Sequence, residues 1–155
     1  MKNGNGKTIP AFPNSFPYNE LLLRGKLSAK TRTWRWSHTG LTLLYTSTST
    51  ADGVVSAHGL KEEAKKAPRM VLVAVGELQP VRELTDKESR QIYKEFRNGK
   101  RTTWGPGTGV YRYEFKNLKR FKRPVSFKPP QGAVRLFNVP VSFVAKALKE
   151  IGVSL

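Results

Sequence analysis

Two stretches of this chain combine cationic side chains with flat aromatic ones. The first stretch contains Arg32, Trp34, Arg35 and Trp36. The second contains Tyr111, Arg112, Tyr113, Phe115, Lys116, Lys119, Arg120, Phe121, Lys122 and Arg123. Ammonium and guanidinium groups bind phosphates, and aromatic rings stack on bases, so this pattern indicates a nucleic-acid ligand.

The charge of the chain is concentrated in the two segments that hold these stretches. There are 28 Lys and Arg residues against 11 Asp and Glu, a formal net charge of +17. Residues 1–50 carry seven basic and one acidic side chain, residues 51–97 carry nine and eight, and residues 98–155 carry twelve and two. The middle of the chain is an ordinary solvated surface. A basic protein with no nucleic-acid ligand is the alternative, but the interleaved aromatics favour nucleic acid.

Other kinds of chemistry have little support in the composition. Cysteine is absent, which excludes disulfides and thiolate metal sites, and the two histidines, His38 and His58, are far apart in sequence. The glycine-rich segment 105–109 lacks the lysine of a phosphate-binding loop. We therefore expect no metal and no cofactor. No apolar run is long enough to span a membrane, so we expect a cytoplasmic protein that does not bind membranes. We also expect a monomer.

The length of 155 residues predicts one domain. Residues 1–14 are polar and rich in Gly and Pro, which predicts a flexible N-terminal arm before a domain over 15–155. Apolar periodicity predicts strands over 31–36, 41–47, 70–78, 111–116 and 133–139, and helices near 17–24, 57–66, 85–98 and 142–151. The expected fold class is α+β, a small mixed β-barrel of five to six strands with peripheral helices.

The segment SFPYNELLLRGKLSAKTRTW resembles the ASCH domain family of the PUA-like superfamily. The signature of that family is G-x-K-x-x-E-x-R, and Gly25 and Arg32 match its first and last positions. Leu27 stands at the signature Lys and Lys30 at the signature Glu. The blocks LTLLYTSTS, MVLVAVGELQPVREL and VYRYEFKNLKRFKRPVSFKPPQGAVRLFNVP follow in the family's order, so the resemblance covers about residues 15–140.

This resemblance implies a PUA-like barrel associated with RNA, and some ASCH members are amidohydrolases or ribonucleases. The amidohydrolase type uses a Lys, a Thr and a later Glu, for which Lys26 or Lys30, Thr31 and Glu77 are the candidates here. The alternative is that Lys30 binds phosphate, which we favour because the signature Lys position is Leu27. For Glu77, an ion pair with Arg32 is the alternative to a catalytic role.

We therefore expect a domain that binds RNA, rather than DNA, in a basic cleft and has no catalytic activity. The expected nucleic-acid-binding residues are Lys26, Lys30, Arg32 and Arg35 on one side and Arg112, Lys116, Lys119, Arg120, Lys122, Arg123 and Lys128 on the other. Trp104 is the expected exposed stacking residue, whereas Trp34 and Trp36 are either core or a stacking platform. The other hypotheses are a metal-independent hydrolase acting on RNA or a modified nucleoside, and a DNA-binding accessory domain.

Overall fold

The computed structural model describes residues 7–96, 110–131 and 136–155, which form eight strands and five helices. The strands are β1 (Thr8–Phe16), β2 (Lys30–Arg32), β3 (Gly40–Thr50), β4 (Val71–Leu78), β5 (Arg82–Glu83), β6 (Tyr111–Tyr113), β7 (Phe115–Ser126) and β8 (Phe137–Pro140). The helices are α1 (Tyr18–Leu23), α2 (Asp52–Ala57), α3 (Lys61–Lys66), α4 (Asp86–Phe96) and α5 (Val141–Glu150). No helix in the described ranges is long and apolar enough to cross a membrane.

The described strands form two open sheets. The larger sheet has the order β7-β4-β3-β1-β8, with β1 parallel to β3 and the other pairs antiparallel. The smaller sheet has the order β2-β6-β5. This confirms the mixed α+β class, but a closed barrel is not confirmed. The strand count exceeds the predicted five to six because β1 was expected to be an arm, because the short strand β5 was not predicted, and because the aromatic segment divides at Glu114 into β6 and β7.

Each face of the larger sheet carries a hydrophobic cluster. Adjacent residues of a strand point to opposite faces, and Leu43 and Leu44 accordingly enter two different hydrophobic clusters. One cluster packs under α5, whose Val144 and Leu148 are fully buried. The other cluster receives apolar side chains from α1, α2, α4 and the smaller sheet. The small sheet and its β2 strand are thereby held against the face of the large sheet.

The predicted flexible arm over 1–14 is wrong for residues 8–14, because β1 lies between β3 and β8 inside the large sheet. Pro10 and Pro13 made this segment resemble a linker, yet Ile9 and Phe12 are buried core residues. Burial of these side chains outweighs the strand hydrogen bonds that the two prolines cannot donate. Residues 1–6 lie outside the described residues.

Several predicted elements have different boundaries. The strand predicted over 31–36 is limited to Lys30–Arg32, and the helix predicted over 57–66 is replaced by α2 and α3. Gly59 separates these helices with a φ of 69°, a left-handed conformation that ends a helix. The predicted start of α4 is confirmed, since the Thr85 hydroxyl accepts from the Glu88 amide at 3.2 Å and Glu88 accepts from the Thr85 amide at 3.0 Å.

We expect Phe12→Ala to lower the free energy of unfolding by about 3–5 kcal/mol, because it removes a fully buried aromatic ring from the hydrophobic cluster between the two sheets. Thr8→Ala, at the exposed start of the same strand, should change it by less than about 0.5 kcal/mol. Equilibrium unfolding in urea measures both variants. Equal midpoints for Phe12→Ala and the wild type would contradict the position of β1 in the core.

Candidate functional site

A cavity of about 360 Å³ lies where β1, β2 and β3 meet the segments before and after residues 132–135. We refer to it as the Lys30–Arg32 pocket. Its lining consists of Pro13, Asn14, Ser15, Tyr18, Lys30, Arg32, Tyr45, Ser47, Pro129 and Phe137. This volume is within the range of small-molecule sites. The described lining contains two cations, three aromatic rings and no carboxylate, so it suits an anionic ligand with a flat group.

Arg32 is held at the pocket by neutral hydrogen-bond acceptors. Its Nη2 donates to the Pro13 carbonyl at 2.6 Å and to Asn14 Oδ1, and its Nη1 donates to the Thr31 carbonyl at 3.1 Å. The guanidinium carbon lies 4.7 Å from the centroid of the Phe12 ring. None of the described carboxylates forms an ion pair with Arg32.

Burial lowers the pKa of Arg32 to about 10, an effect that Tyr113 and Tyr18 partly oppose. The guanidinium therefore stays protonated at neutral pH. Its positive charge is not offset by an anion in the described part of the protein. An arriving anion would find this charge already in position, with N–H donors that the three neutral acceptors do not use up.

Lys30 lies deeper than the sequence predicted. Its side chain lines the pocket, but the residue retains only 8% of its possible exposure. Nζ lies 4.2 Å from the centroid of the Tyr18 ring and donates to the Thr31 carbonyl at 3.4 Å. Burial, and then the charge of Arg32, lower the pKa of Lys30 well below its ordinary value. Lys30 is thus a buried pocket residue rather than an exposed phosphate ligand.

Aromatic rings from separate parts of the chain form the remaining wall. Tyr45 and Phe137 contact each other edge to face, with centroids 5.1 Å apart and planes at 90°. The Tyr45 hydroxyl donates to the Phe127 carbonyl at 2.8 Å, which ties the chain before Pro129 to β3. Tyr18, Tyr45 and Phe137 were not among the predicted site residues. They lie in three segments far apart in the sequence, so no local pattern could have grouped them.

A chain of hydrogen bonds leads from Arg32 into the protein. Asn14 accepts from Arg32 and donates through Nδ2 to Asn19 Oδ1 at 2.7 Å. Asn19 in turn donates to the Thr46 hydroxyl at 3.1 Å. Asn14, Asn19 and Thr46 are all buried, so these bonds satisfy polar groups that would otherwise be costly there.

The other candidates near β2 do not enter the pocket. Lys26 and Arg35 are exposed and are not part of its lining. Trp34 is half-buried and packs against Tyr113 at 5.4 Å between centroids, and Trp36 is half-buried beside the same core, which favours the core interpretation for both. Trp104 lies outside the described residues.

The second predicted set of cations lies mainly on β7, an edge strand of the large sheet. Lys116, Lys119 and Lys122 on β7 and Lys128 just after it are exposed. We call these four residues the basic edge lysines. None of them pairs with a carboxylate in the described part of the chain. Their charges are therefore available to a polyanion.

The three arginines of this predicted set are paired, which corrects their expected role as free phosphate ligands. Arg120 donates to both carboxylate oxygens of Glu20, at 2.9 and 2.5 Å. Arg123 lies 3.3 Å from Glu150. Arg112 is only 13% exposed at its side chain and lies 3.4 Å from Glu88. The positive charges are evident in the sequence, but their ion pairs with acids far away in the chain are not.

Glu88 is a structural acid, because several groups stabilise its charged form. The hydrogen bonds from Arg82 are the main cause of a pKa lowered to about 2, and Thr85 and Arg112 add to the effect. The carboxylate thereby anchors the start of α4 to β5 and β6. Arg112 serves this anchor rather than the candidate site.

Glu77 is neither a partner of Arg32 nor part of the pocket. It is exposed on β4, opposite Lys116 in the sheet register, and accepts from Asn117 Nδ2 at 2.9 Å. The predicted pair between Glu77 and Arg32 is therefore wrong. Thr31 is buried, but the arrangement of Lys30 and Thr31 with Glu77 does not form. The described residues contain no group of three side chains able to hold a metal ion.

The two predicted sides of one cleft line different cavities. Arg120 and Lys122 belong to a second cavity of about 260 Å³ between α1 and β7, whereas Lys30 and Arg32 belong to the first. The prediction of a single basic cleft thus becomes a pocket with two basic residues plus a set of exposed lysines. Pro129, next to Lys128 in the chain, is part of the pocket lining.

We expect the stabilising effect of Lys30→Met to be largest at neutral pH and to decrease as the pH rises toward 10.5, the ordinary lysine value. In this interval the unfolded chain binds a proton that the folded pocket disfavours, so the wild type gains stability with pH and the variant does not. Urea unfolding at several pH values tests this. Lys26→Met, at an exposed position, is the control, and a pH-independent difference for Lys30→Met would contradict the buried amine.

Comparison with known proteins bears on the fold. No protein-family model matches the sequence, and no curated protein matches it either. The crystal structure of ASCH from Zymomonas mobilis superimposes with a TM-score of 0.56 at 10% identity, covering 97% of this chain and 99% of that one. A tyrosine-to-phenylalanine mutant of the Zymomonas mobilis protein gives a TM-score of 0.51 at 10% identity, with 92% and 98% coverage. The chain therefore shares the fold of these ASCH structures, in agreement with the sequence resemblance.

Proposed function

We propose that this protein binds RNA at an unpaired nucleotide, with a phosphate at Arg32 and a base against the aromatic wall of the pocket. One observation carries the proposal: the Arg32 guanidinium and three aromatic rings line one cavity whose described lining has no acidic residue. Cations contact phosphates and aromatic rings stack on splayed bases, which is the usual division of labour in recognition of single-stranded RNA.

The basic edge lysines extend this site. Four exposed ammonium groups without described acidic partners raise the local concentration of a polyanion and contact its backbone outside the pocket. Lys128 precedes Pro129 of the pocket lining in the chain, so one of these lysines adjoins the pocket in sequence. The pocket would then select an unpaired nucleotide while the lysines supply affinity that does not depend on sequence.

RNA is favoured over DNA because polar groups accompany the cations. Asn14, Ser15 and Ser47 line the pocket and offer donors and acceptors that a ribose 2′-hydroxyl can use. The hydrolase hypothesis has weaker support, because Glu77 lies in another part of the sheet and no carboxylate among the described lining residues could act as a general base.

We expect binding of a single-stranded RNA oligonucleotide to be strongly salt-dependent, and the triple variant Lys119→Gln, Lys122→Gln, Lys128→Gln to flatten that dependence. Loss of three phosphate contacts reduces the slope of log affinity against log salt by about 2 for a single strand. Fluorescence anisotropy at several salt concentrations measures both slopes. The triple variant Lys61→Gln, Lys65→Gln, Lys66→Gln, which removes the same number of charges from exposed α3, is the matched control and should lower the slope by less than about 0.5.

We expect Arg32→Gln to reduce RNA affinity roughly five- to thirty-fold, equivalent to about 1–2 kcal/mol at a partly buried phosphate contact. The same titration with DNA of matching sequence should give weaker binding to the wild type. Urea unfolding must first show that Arg32→Gln is folded. Absence of RNA binding at low salt, or unchanged affinity in a folded Arg32→Gln, contradicts the proposed function.

A further inference from the structure

We propose that the Lys30 amine is a nucleophile that forms a reversible imine with an aldehyde bearing a phosphate group, and that Arg32 binds that phosphate. Two sources of this chemistry fit the pocket: the sugar at an abasic position of a nucleic acid, and a free sugar phosphate. The first source rests on the proposed function, since it requires that a nucleic acid reach the pocket.

The position of the amine carries the inference. Lys30 is part of the lining of an open cavity and yet is only 8% exposed, so its amine is largely removed from bulk water. Nζ lies over the face of Tyr18, 4.2 Å from the ring centroid, and the Tyr18 ring belongs to the same lining. A lysine in such a position contacts a ligand that enters the cavity, whereas an exposed lysine stays hydrated.

The neighbouring guanidinium defines the class of aldehyde. Residues 30 and 32 of one strand point to the same side, which places Arg32 beside Lys30 along β2. The described partners of Arg32 are carbonyl and amide oxygens, so its charge is available to a phosphate. A cavity of about 360 Å³ has room for a sugar phosphate, and its described lining has no carboxylate to repel one.

The reaction needs no co-reactant. The neutral amine attacks the carbonyl carbon, a proton moves from nitrogen to oxygen, and the resulting carbinolamine loses water to give the C=N bond. The same burial and like charge that lower the pKa of Lys30 increase the fraction of neutral amine. Hydrolysis reverses the step, so the imine can be detected only by reducing it to a stable secondary amine.

The test uses the full chain with sodium cyanoborohydride and three probes: 2-deoxyribose 5-phosphate, 2-deoxyribose, and a single-stranded oligonucleotide containing one abasic position. Intact mass and peptide mapping locate the adduct. We expect one adduct on Lys30, formed at least about tenfold faster with the phosphorylated sugar than with the unphosphorylated one because of the guanidinium–phosphate pair. In Arg32→Gln, the phosphorylated and the unphosphorylated sugar should form the adduct at similar rates.

Variants of two lysines separate a specific imine from general modification. Lys30→Arg should abolish trapping, whereas Lys26→Arg, at an exposed lysine of the neighbouring loop, should leave it unchanged. Adducts spread over exposed lysines such as Lys26 and Lys65, or trapping at an unchanged rate in Lys30→Arg, would overturn the proposal. Peptide mapping of the wild type decides the question even if Lys30→Arg does not fold.

Failure of the imine and failure of the RNA proposal give different results. Unmodified RNA that binds the protein, together with no trapped adduct on Lys30 from any probe, overturns the imine and leaves the RNA proposal intact. Trapping of the sugar phosphate without RNA binding supports the imine and removes the nucleic acid as its source. Faster trapping of the abasic oligonucleotide than of the free sugar phosphate identifies the nucleic acid as the source.

Discussion

The position of β1 between β3 and β8 is the constraint on which the site depends. Phe12 of this strand is fully buried and lies beneath the guanidinium of Arg32, and Pro13 and Asn14 supply two of its hydrogen-bond acceptors. Pro10 and Pro13 leave β1 without two backbone amide donors, and the Pro13 carbonyl accepts a hydrogen bond from Arg32 at the pocket. In this strand, Phe12 therefore packs in the hydrophobic core, and Pro13 and Asn14 orient the Arg32 guanidinium.

Placing two cations side by side in a half-buried pocket costs stability. Desolvation disfavours the charged forms of Lys30 and Arg32, and their proximity adds repulsion. The protein offsets part of this cost with neutral oxygens and aromatic faces rather than with carboxylates: Thr31 and Asn14 accept hydrogen bonds, and Phe12 and Tyr18 lie against the charges. Such an arrangement keeps the positive potential that a carboxylate would have cancelled.

Apolar periodicity and the capping motif predicted those strands and helices whose pattern lies within a single stretch of sequence. Strand β4 and helices α4 and α5 appear close to their expected positions, because their apolar spacing and the Thr85–Glu88 box are readable from neighbouring residues. The candidate site was only partly predictable. Lys30 and Arg32 were identified, but Asn14 and Phe137 reach the pocket from distant parts of the chain. The pairing of Arg120 with Glu20 spans 100 residues, and no short-range pattern encodes it.

The edge position of β7 has a consequence for how the protein behaves at high concentration. Among the described strands β7 pairs only with β4, so its other side presents unpaired backbone groups along twelve residues. Such an edge can template pairing with a second chain, and lysines together with a proline are a common safeguard against it. Lys119, Lys122 and Pro124 occupy this strand. The lysines that we propose contact a polyanion therefore also keep copies of the protein apart, so colloidal solubility and the proposed ligand binding depend on the same side chains.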